Sequence, residues 1–159
     1  MGRYFPDGLT MAPQQSSTSY AGDLSAAEAW SLLKDNPQAQ LVDVRTTAEW
    51  SFVGLPDLSE VGRNVHCVEW QSFPTMSPNP GFVAEAGSAV SGAGASKDAP
   101  ILFLCRSGAR SRSAAIAMTA AGYTRAYNIA GGFEGDLDPA RHRGTKNGWK
   151  AQGLPWKQT

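Results

Sequence analysis

A cysteine, Cys105, closes the apolar run Pro100-Ile-Leu-Phe-Leu104 and is followed by Arg106-Ser107-Gly108-Ala109-Arg110-Ser111. Cysteine attacks as a thiolate. A free thiol titrates near pH 8.5, so only about 3% is ionised at pH 7. Helix N-termini and neighbouring cations are the settings in which proteins raise that fraction. Gly108 has no side chain to obstruct a tight curl, so the loop's N–H groups can point at the sulfur. A helix read from Ser111 brings its positive end to the same place. Arg106, Arg110 and Arg112 add cationic charge, and the planar fork of Arg110 suits an oxyanion. The segment therefore reads as a nucleophile loop. Cys105 is the catalytic candidate, and Arg106, Ser107, Gly108, Ala109, Arg110 and Ser111 form a cradle for bound substrate or an anionic persulfide.

Other side chains receive plainer readings. Cys67, inside Val65-His66-Cys67-Val68, reads as a small core residue. Asp43 ends a strand near the same sheet edge and is expected to fix the loop by accepting backbone N–H bonds. Arg45 and Glu49 stand four apart, and we expect them to pair along a short helix. Ser111 reads as a helix N-cap. The two histidines, His66 and His142, fit no ligand spacing even with Asp136 and Asp138, so no metal is expected. Arg141, Arg143 and Lys146 form a candidate basic rim that attracts anions. The tryptophans are read mostly as core, with Trp50, Trp70 and Trp149 as candidates for the pocket wall.

These side chains need elements to carry them. Ser25-Ala-Ala-Glu28 is a capping box opening a helix that stops before Pro37. Gln40-Leu-Val-Asp-Val44 reads as a strand, and Thr46 or Thr47 caps a brief helix holding Trp50 and Phe52. Asn64 to Val68 is a further strand, and Phe82 to Val90 a helix. Pro100 to Leu104 has the apolar run of a strand buried on both faces, as in a parallel sheet. Ser111 to Ala121 is a helix stopped by Gly122, and Ala126-Tyr-Asn-Ile129 is a strand. Trp149 to Gln152 reads as a last helical turn. Strands alternating with helices give an α/β fold with a central, mainly parallel sheet. Open α/β sheets place their sites at the carboxyl ends of the strands, where the Cys105 loop falls.

The 159 residues suit one domain with length to spare. We read residues 1–19, rich in Pro, Gln, Ser and Thr, as a flexible arm. Residues 20–159 read as a single domain with insertions near 71–99 and 136–148. Fourteen basic and fourteen acidic residues cancel, which argues against a nucleic-acid binder. No run of 18 apolar residues exists, so no membrane partner is expected. Two cysteines and a start without a signal-like apolar core place the expected compartment in the cytoplasm.

Several ordered motifs share one resemblance. Cys105-Arg-Ser-Gly-Ala-Arg110-Ser111 resembles the active loop of single-domain rhodanese-like sulfurtransferases. Leu41-Val-Asp43-Val-Arg45 with Glu49-Trp50 is similar to that family's D-x-R segment. Gly122-Tyr123, Tyr127-Asn128 and Gly131-Gly132-Phe133-Glu134 resemble the end of its catalytic helix, its last strand and its glycine pair. Trp149-Lys-Ala-Gln-Gly-Leu-Pro155 resembles its closing segment. The likeness covers about residues 20–156 and implies a parallel sheet with helices on both faces. It departs where the family often has Gly-His-Ile-Pro-Gly-Ala, since Gly54-Leu-Pro-Asp-Leu-Ser59 stands there.

The resemblance implies a sulfurtransferase without a cofactor. It would move sulfur from thiosulfate or another small anionic donor, through a Cys105 persulfide, to a thiol, cyanide or protein acceptor. Asp43 and Arg45 would support the loop. The alternatives are phosphatase or arsenate reductase chemistry on the same architecture, and a non-enzymatic rhodanese-like binding module. The related phosphatases carry five residues between Cys and Arg. This chain carries four, and one residue adds up to about 3.5 Å of contour, so the shorter ring favours a sulfur atom over a phosphoryl group.

Overall fold

The computed structural model describes residues 19–158, so the arm read over residues 1–19 lies outside it except for Ser19. The longest apolar strands sit at the centre. Strand β1 is Gly22–Leu24, β2 is Gln40–Asp43 and β3 is Leu55–Pro56. Strand β4 is His66–Cys67, β5 is Gln71–Ser72 and β6 is Ser77–Pro78. Strand β7 is Ile101–Leu104, β8 is Ala126–Ile129 and β9 is Trp156–Lys157. The helices are α1 (Ala26–Asp35), α2 (Thr47–Val53), α3 (Phe82–Gly92) and α4 (Ala109–Ala120).

Five strands form the main sheet in the order β1-β8-β7-β2-β4. Its strand pairs are all parallel. Every residue of β2 and β7 is buried, as expected of interior strands covered on both faces. Alternate side chains feed two cores. Val42, Ile101 and Phe103 pack with Phe82, Ala86 and Val90 of α3 and with Ala114, Ala115 and Met118 of α4. Leu41, Leu102 and Leu104 pack on the other face with Ala26, Ala29 and Leu33 of α1, joined by Phe133 and Trp149. The sheet thus carries helices on both faces, as the family resemblance implies.

Local chemistry sets the helix starts. Ser25 and Glu28 make the reciprocal bonds of a capping box on α1, and Thr46 and Glu49 do the same on α2. Helix α4 differs from its expected start. It begins at Ala109, with Gly108 at φ +124° as the cap, and Ser111 lies inside the first turn. The positive φ is cheap for glycine and lets the chain turn directly from the Cys105 loop into the helix.

The two segments read as insertions take different forms. The stretch after β4 holds the β5–β6 antiparallel hairpin and then α3. Residues 136–148 form turns tied by their own polar groups. Asp138 Oδ1 accepts from the His142 N–H at 2.9 Å, and Asp138 Oδ2 from the Thr145 hydroxyl at 2.6 Å. Five short strands had no clear sequence signal: β1 at the sheet edge, the antiparallel β3–β9 pair and the β5–β6 hairpin. Among the described residues no helix is long and apolar enough to cross a membrane.

Candidate active site

In the β2–β7 register Asp43 stands opposite Leu104, so the two chains leave the sheet side by side at its carboxyl edge. Cys105 follows at once and is 1% exposed. Its sulfur accepts the Gly108 N–H at 3.1 Å and faces the Ser111 hydroxyl at 3.2 Å. One backbone donor, one hydroxyl and the N-terminus of a twelve-residue helix therefore converge on a single sulfur. That arrangement turns two donors and a positive helix end toward Sγ.

The loop keeps its shape because its carbonyls are engaged elsewhere. The Phe133 N–H donates to the Cys105 carbonyl at 2.8 Å. The Glu134 and Gly135 N–H groups donate to the Arg106 carbonyl at 3.0 and 3.1 Å. With these oxygens held, the loop's donors are free to curl toward the sulfur. The contact requires Gly132, at φ +63°, because a Cβ there would meet the Cys105 and Arg106 carbonyl oxygens at 2.5 Å.

Ser111 is oriented from the neighbouring strand. Its hydroxyl lies 2.6 Å from Asn128 Oδ1, and Asn128 Nδ2 donates to Asp23 Oδ1 at 3.0 Å. The Asp23 acceptor fixes which end of the amide faces Ser111. A chain of polar contacts thus runs from edge strand β1 through β8 to the nucleophile.

A cavity of about 630 Å³ opens beside the loop. Arg106, Arg110, Glu134 and Arg143 line one part of it, and Phe52, Phe73 and Met76 another. Cys105 is not among its lining residues. None of Trp50, Trp70 and Trp149 lines it either. Trp149 is wholly buried in the core, and Trp70 packs edge-on against Phe82. Of the basic rim, only Arg143 reaches the cavity wall, and it also donates to the Gly135 carbonyl at 2.7 Å. Among the described residues no group of three acidic, His or Cys side chains is placed to hold a metal.

A family comparison settles the kinship. The sequence model of the STR4 middle domain matches residues 21–159. The chain belongs to this family. It is also similar to a solved structure, Rv0390 from M. tuberculosis, with 50% identity and a TM-score of 0.78, over 89% of this chain and all of that one. An uncharacterised protein of Rickettsia conorii is 36% identical over 135 residues, covering 85% of this chain and 96% of that protein. The polysulfide-sulfur transferase of Wolinella succinogenes shares the fold at 20% identity and a TM-score of 0.54, over 91% of this chain and 84% of that one. The fold is rhodanese-like, shared also with a rhodanese-like domain protein from Staphylococcus aureus at 16% identity and a TM-score of 0.50, over 87% of this chain and 98% of that one.

Three expectations are corrected by the structure. Arg45 does not pair with Glu49. It is wholly buried and forms a fork with Asp43, with Nη2 2.7 Å from Asp43 Oδ2, and donates to the Gly54 carbonyl at 2.8 Å. Its guanidinium also stacks 4.3 Å over the Phe133 ring. A buried Arg needs a counter-charge buried beside it, so Asp43, also 0% exposed, outcompetes Glu49 at the partly exposed start of α2, while Arg45 Nη1 is left without a hydrogen-bond partner. Asp43 does accept a backbone N–H, that of Arg45, at 3.1 Å.

Glu49 instead grips Arg110. The two Arg110 Nη atoms lie 2.8 and 2.9 Å from the two carboxylate oxygens. Burial pushes the Glu49 carboxyl up, but the bonds and charge of Arg110, with those of Thr46, outweigh it and bring it to about 2. Ser111 is not the cap of α4, although its hydroxyl still bonds into the loop. Cys67 is not core. It is exposed on edge strand β4, while partial desolvation and the nearby Asp43 charge push its thiol up to about 12. Its period-two partners gave no hint that this strand is only two residues long and lies at the sheet edge.

Asn128 and Glu49 were the roles the sequence reading missed. Signals existed for both. Asn128 is a polar residue in an otherwise apolar strand and so demanded a partner. Thr46-x-x-Glu49 is a capping-box pattern that fixes the carboxylate near the helix start.

Proposed function

We propose that this protein transfers sulfane sulfur through a persulfide on Cys105. The observation that carries this reading is the sulfur's setting, with the Gly108 N–H and Ser111 hydroxyl both within 3.2 Å at the start of α4. The Cys105 thiolate attacks the outer sulfur of a donor such as thiosulfate. The donor's S–S bond breaks, sulfite leaves with the bonding electrons, and Cys105 becomes a persulfide anion. The cradle then holds one more anionic sulfur at the helix end. A thiophilic acceptor such as cyanide, a thiol or a protein cysteine attacks that outer sulfur and returns Cys105 to the thiolate. Because the group is carried between two half-reactions, turnover is ping-pong.

The loop residues take the following roles. Gly108 and Ser111 stabilise charge on sulfur. Arg106, exposed on the cavity wall, meets the oxyanion end of the donor. Ser107 and Ala109 shape the turn, and Arg110 holds the loop against α2 through Glu49. Asp43 and Arg45 support the strand ends beneath. Four residues between Cys105 and Arg110 make a ring that suits sulfur better than a tetrahedral phosphoryl group.

Intact-mass measurement after incubation with thiosulfate tests the reading. Wild type gains one sulfur atom, which cyanide removes, and Cys105→Ser gains none. Cys105-dependent release of phosphate from an aryl phosphate, with no persulfide from any sulfur donor, would refute it.

A further inference from the structure

Arg110 is the loop's natural oxyanion fork, and it is already occupied. Both of its terminal nitrogens are bonded, one to each Glu49 oxygen, at 2.8 and 2.9 Å. This is the bidentate geometry in which Arg binds sulfate or phosphate. The pair lines the same cavity as Arg106 and Arg143, and both side chains are largely sheltered, at 17% and 20% exposure.

Glu49 does not depend on Arg110 for its position. The Thr46 N–H and the Thr46 hydroxyl both donate to Glu49 Oε1, at 3.1 and 3.0 Å, and the Glu49 N–H donates to the Thr46 hydroxyl at 3.3 Å. The capping box thus fixes the carboxylate at the start of α2, and Thr46 itself is buried. An incoming oxyanion must displace an anchored carboxylate to reach the Arg110 fork. It would also bring a second negative charge beside Glu49.

We infer that Glu49 is a specificity-determining residue, which fills the Arg110 fork and so keeps tetrahedral oxyanions such as sulfate and phosphate out of the Cys105 site. The inference rests on the sulfur-transfer reading for its purpose, but not for its test. With the fork closed, a donor is selected by its reactive sulfur and by Arg106, not by a sulfate-like end clasped at Arg110. The pair separates sulfur chemistry from oxyanion chemistry on a loop that otherwise resembles a phosphate cradle.

Calorimetric titration of inorganic sulfate and of inorganic phosphate into the protein tests this directly. Glu49→Gln keeps the side-chain shape and one acceptor for Thr46, but its amide N–H₂ cannot accept from Arg110. The variant should bind sulfate at least about tenfold more tightly than wild type, a change of about 1.4 kcal/mol. It should also lower KM for thiosulfate. Adding Arg110→Gln to Glu49→Gln should abolish the gain. Arg110→Gln alone should leave the weak sulfate affinity of wild type unchanged, because the fork is not available there.

Equal sulfate affinity in wild type and a folded Glu49→Gln would overturn the inference. So would a loss of sulfate affinity in the Arg110→Gln single variant, which decides the matter even if Glu49→Gln does not fold. Sulfur uptake on Cys105 is scored separately by mass. Its absence would sink the transfer reading while the sulfate titrations still judged Glu49.

Discussion

The Ser111 hydroxyl stands 3.2 Å from the Cys105 sulfur, within the first turn of the helix that the cysteine loop opens. The same hydroxyl lies 2.6 Å from Asn128 Oδ1 and 3.3 Å from the Gly108 carbonyl oxygen, so one proton faces three acceptors. As negative charge builds on sulfur, the proton is drawn away from Asn128 Oδ1 and toward Sγ. Ser111→Ala should therefore slow sulfur uptake from thiosulfate about tenfold or more, the scale of one hydrogen bond to a charged group. Stopped-flow rates of persulfide formation check this, with circular dichroism confirming the fold. An unchanged rate would remove Ser111 from the cradle.

Gly132→Ala should damage both stability and chemistry. The new Cβ would collide with backbone of Cys105 and Arg106 at 2.5 Å, and neither is free to move without shifting the nucleophile. Gly62 supplies the control, since its φ is also positive, at +70°, but a Cβ there meets nothing within 4 Å. Gly62→Ala should lose only the conformational strain, about 1–3 kcal/mol, and keep its sulfur uptake per folded molecule. Gly132→Ala should lose more than that in urea denaturation, and most of its uptake. Equal behaviour of the two variants would contradict the close-contact account.

Arg45→Ala should cost about 3–5 kcal/mol of stability, because it strands the buried Asp43 carboxylate. It also removes the bond to the Gly54 carbonyl and the stack on Phe133. Denaturant titration measures the loss. A change under about 1 kcal/mol would show that the Asp43–Arg45 fork is not a structural centre.

Cys67→Ser should retain sulfur transfer. The Cys67 thiol is pushed up to about 12, so partial desolvation and the Asp43 charge disfavour its thiolate, and at pH 7 to 8 it stays protonated and unreactive. Conversely, Cys105→Ser protein, which keeps only Cys67, should take up no sulfur from thiosulfate in that range. Loss of transfer in a folded Cys67→Ser variant would point to a two-cysteine mechanism.

The legible part of this molecule is the part written in local pattern. The buried run Ile101–Leu104, the capping boxes at Ser25 and Thr46, and the Cys105–Ser111 motif each carry their own signal, and together they give the sheet, its helices and the nucleophile loop. Pairings across the fold were not legible. Arg45 had two carboxylates within four residues, and only burial decides for Asp43 over Glu49. Arg110 and Glu49 are 61 residues apart, and no periodicity links them. Cys67 was misread because a two-residue edge strand has too few residues to show which face is covered. Strand β9 was missed because Trp156–Lys157 becomes a strand only by pairing with Leu55–Pro56.

The most direct test of the account is the mass of the protein after exposure to thiosulfate, followed by peptide mapping. The account predicts a gain of one sulfur atom, located on Cys105, removed by cyanide and absent in Cys105→Ser. Sulfur found on Cys67 would contradict it, as would an unmodified Cys105 after exposure to thiosulfate and other sulfane donors.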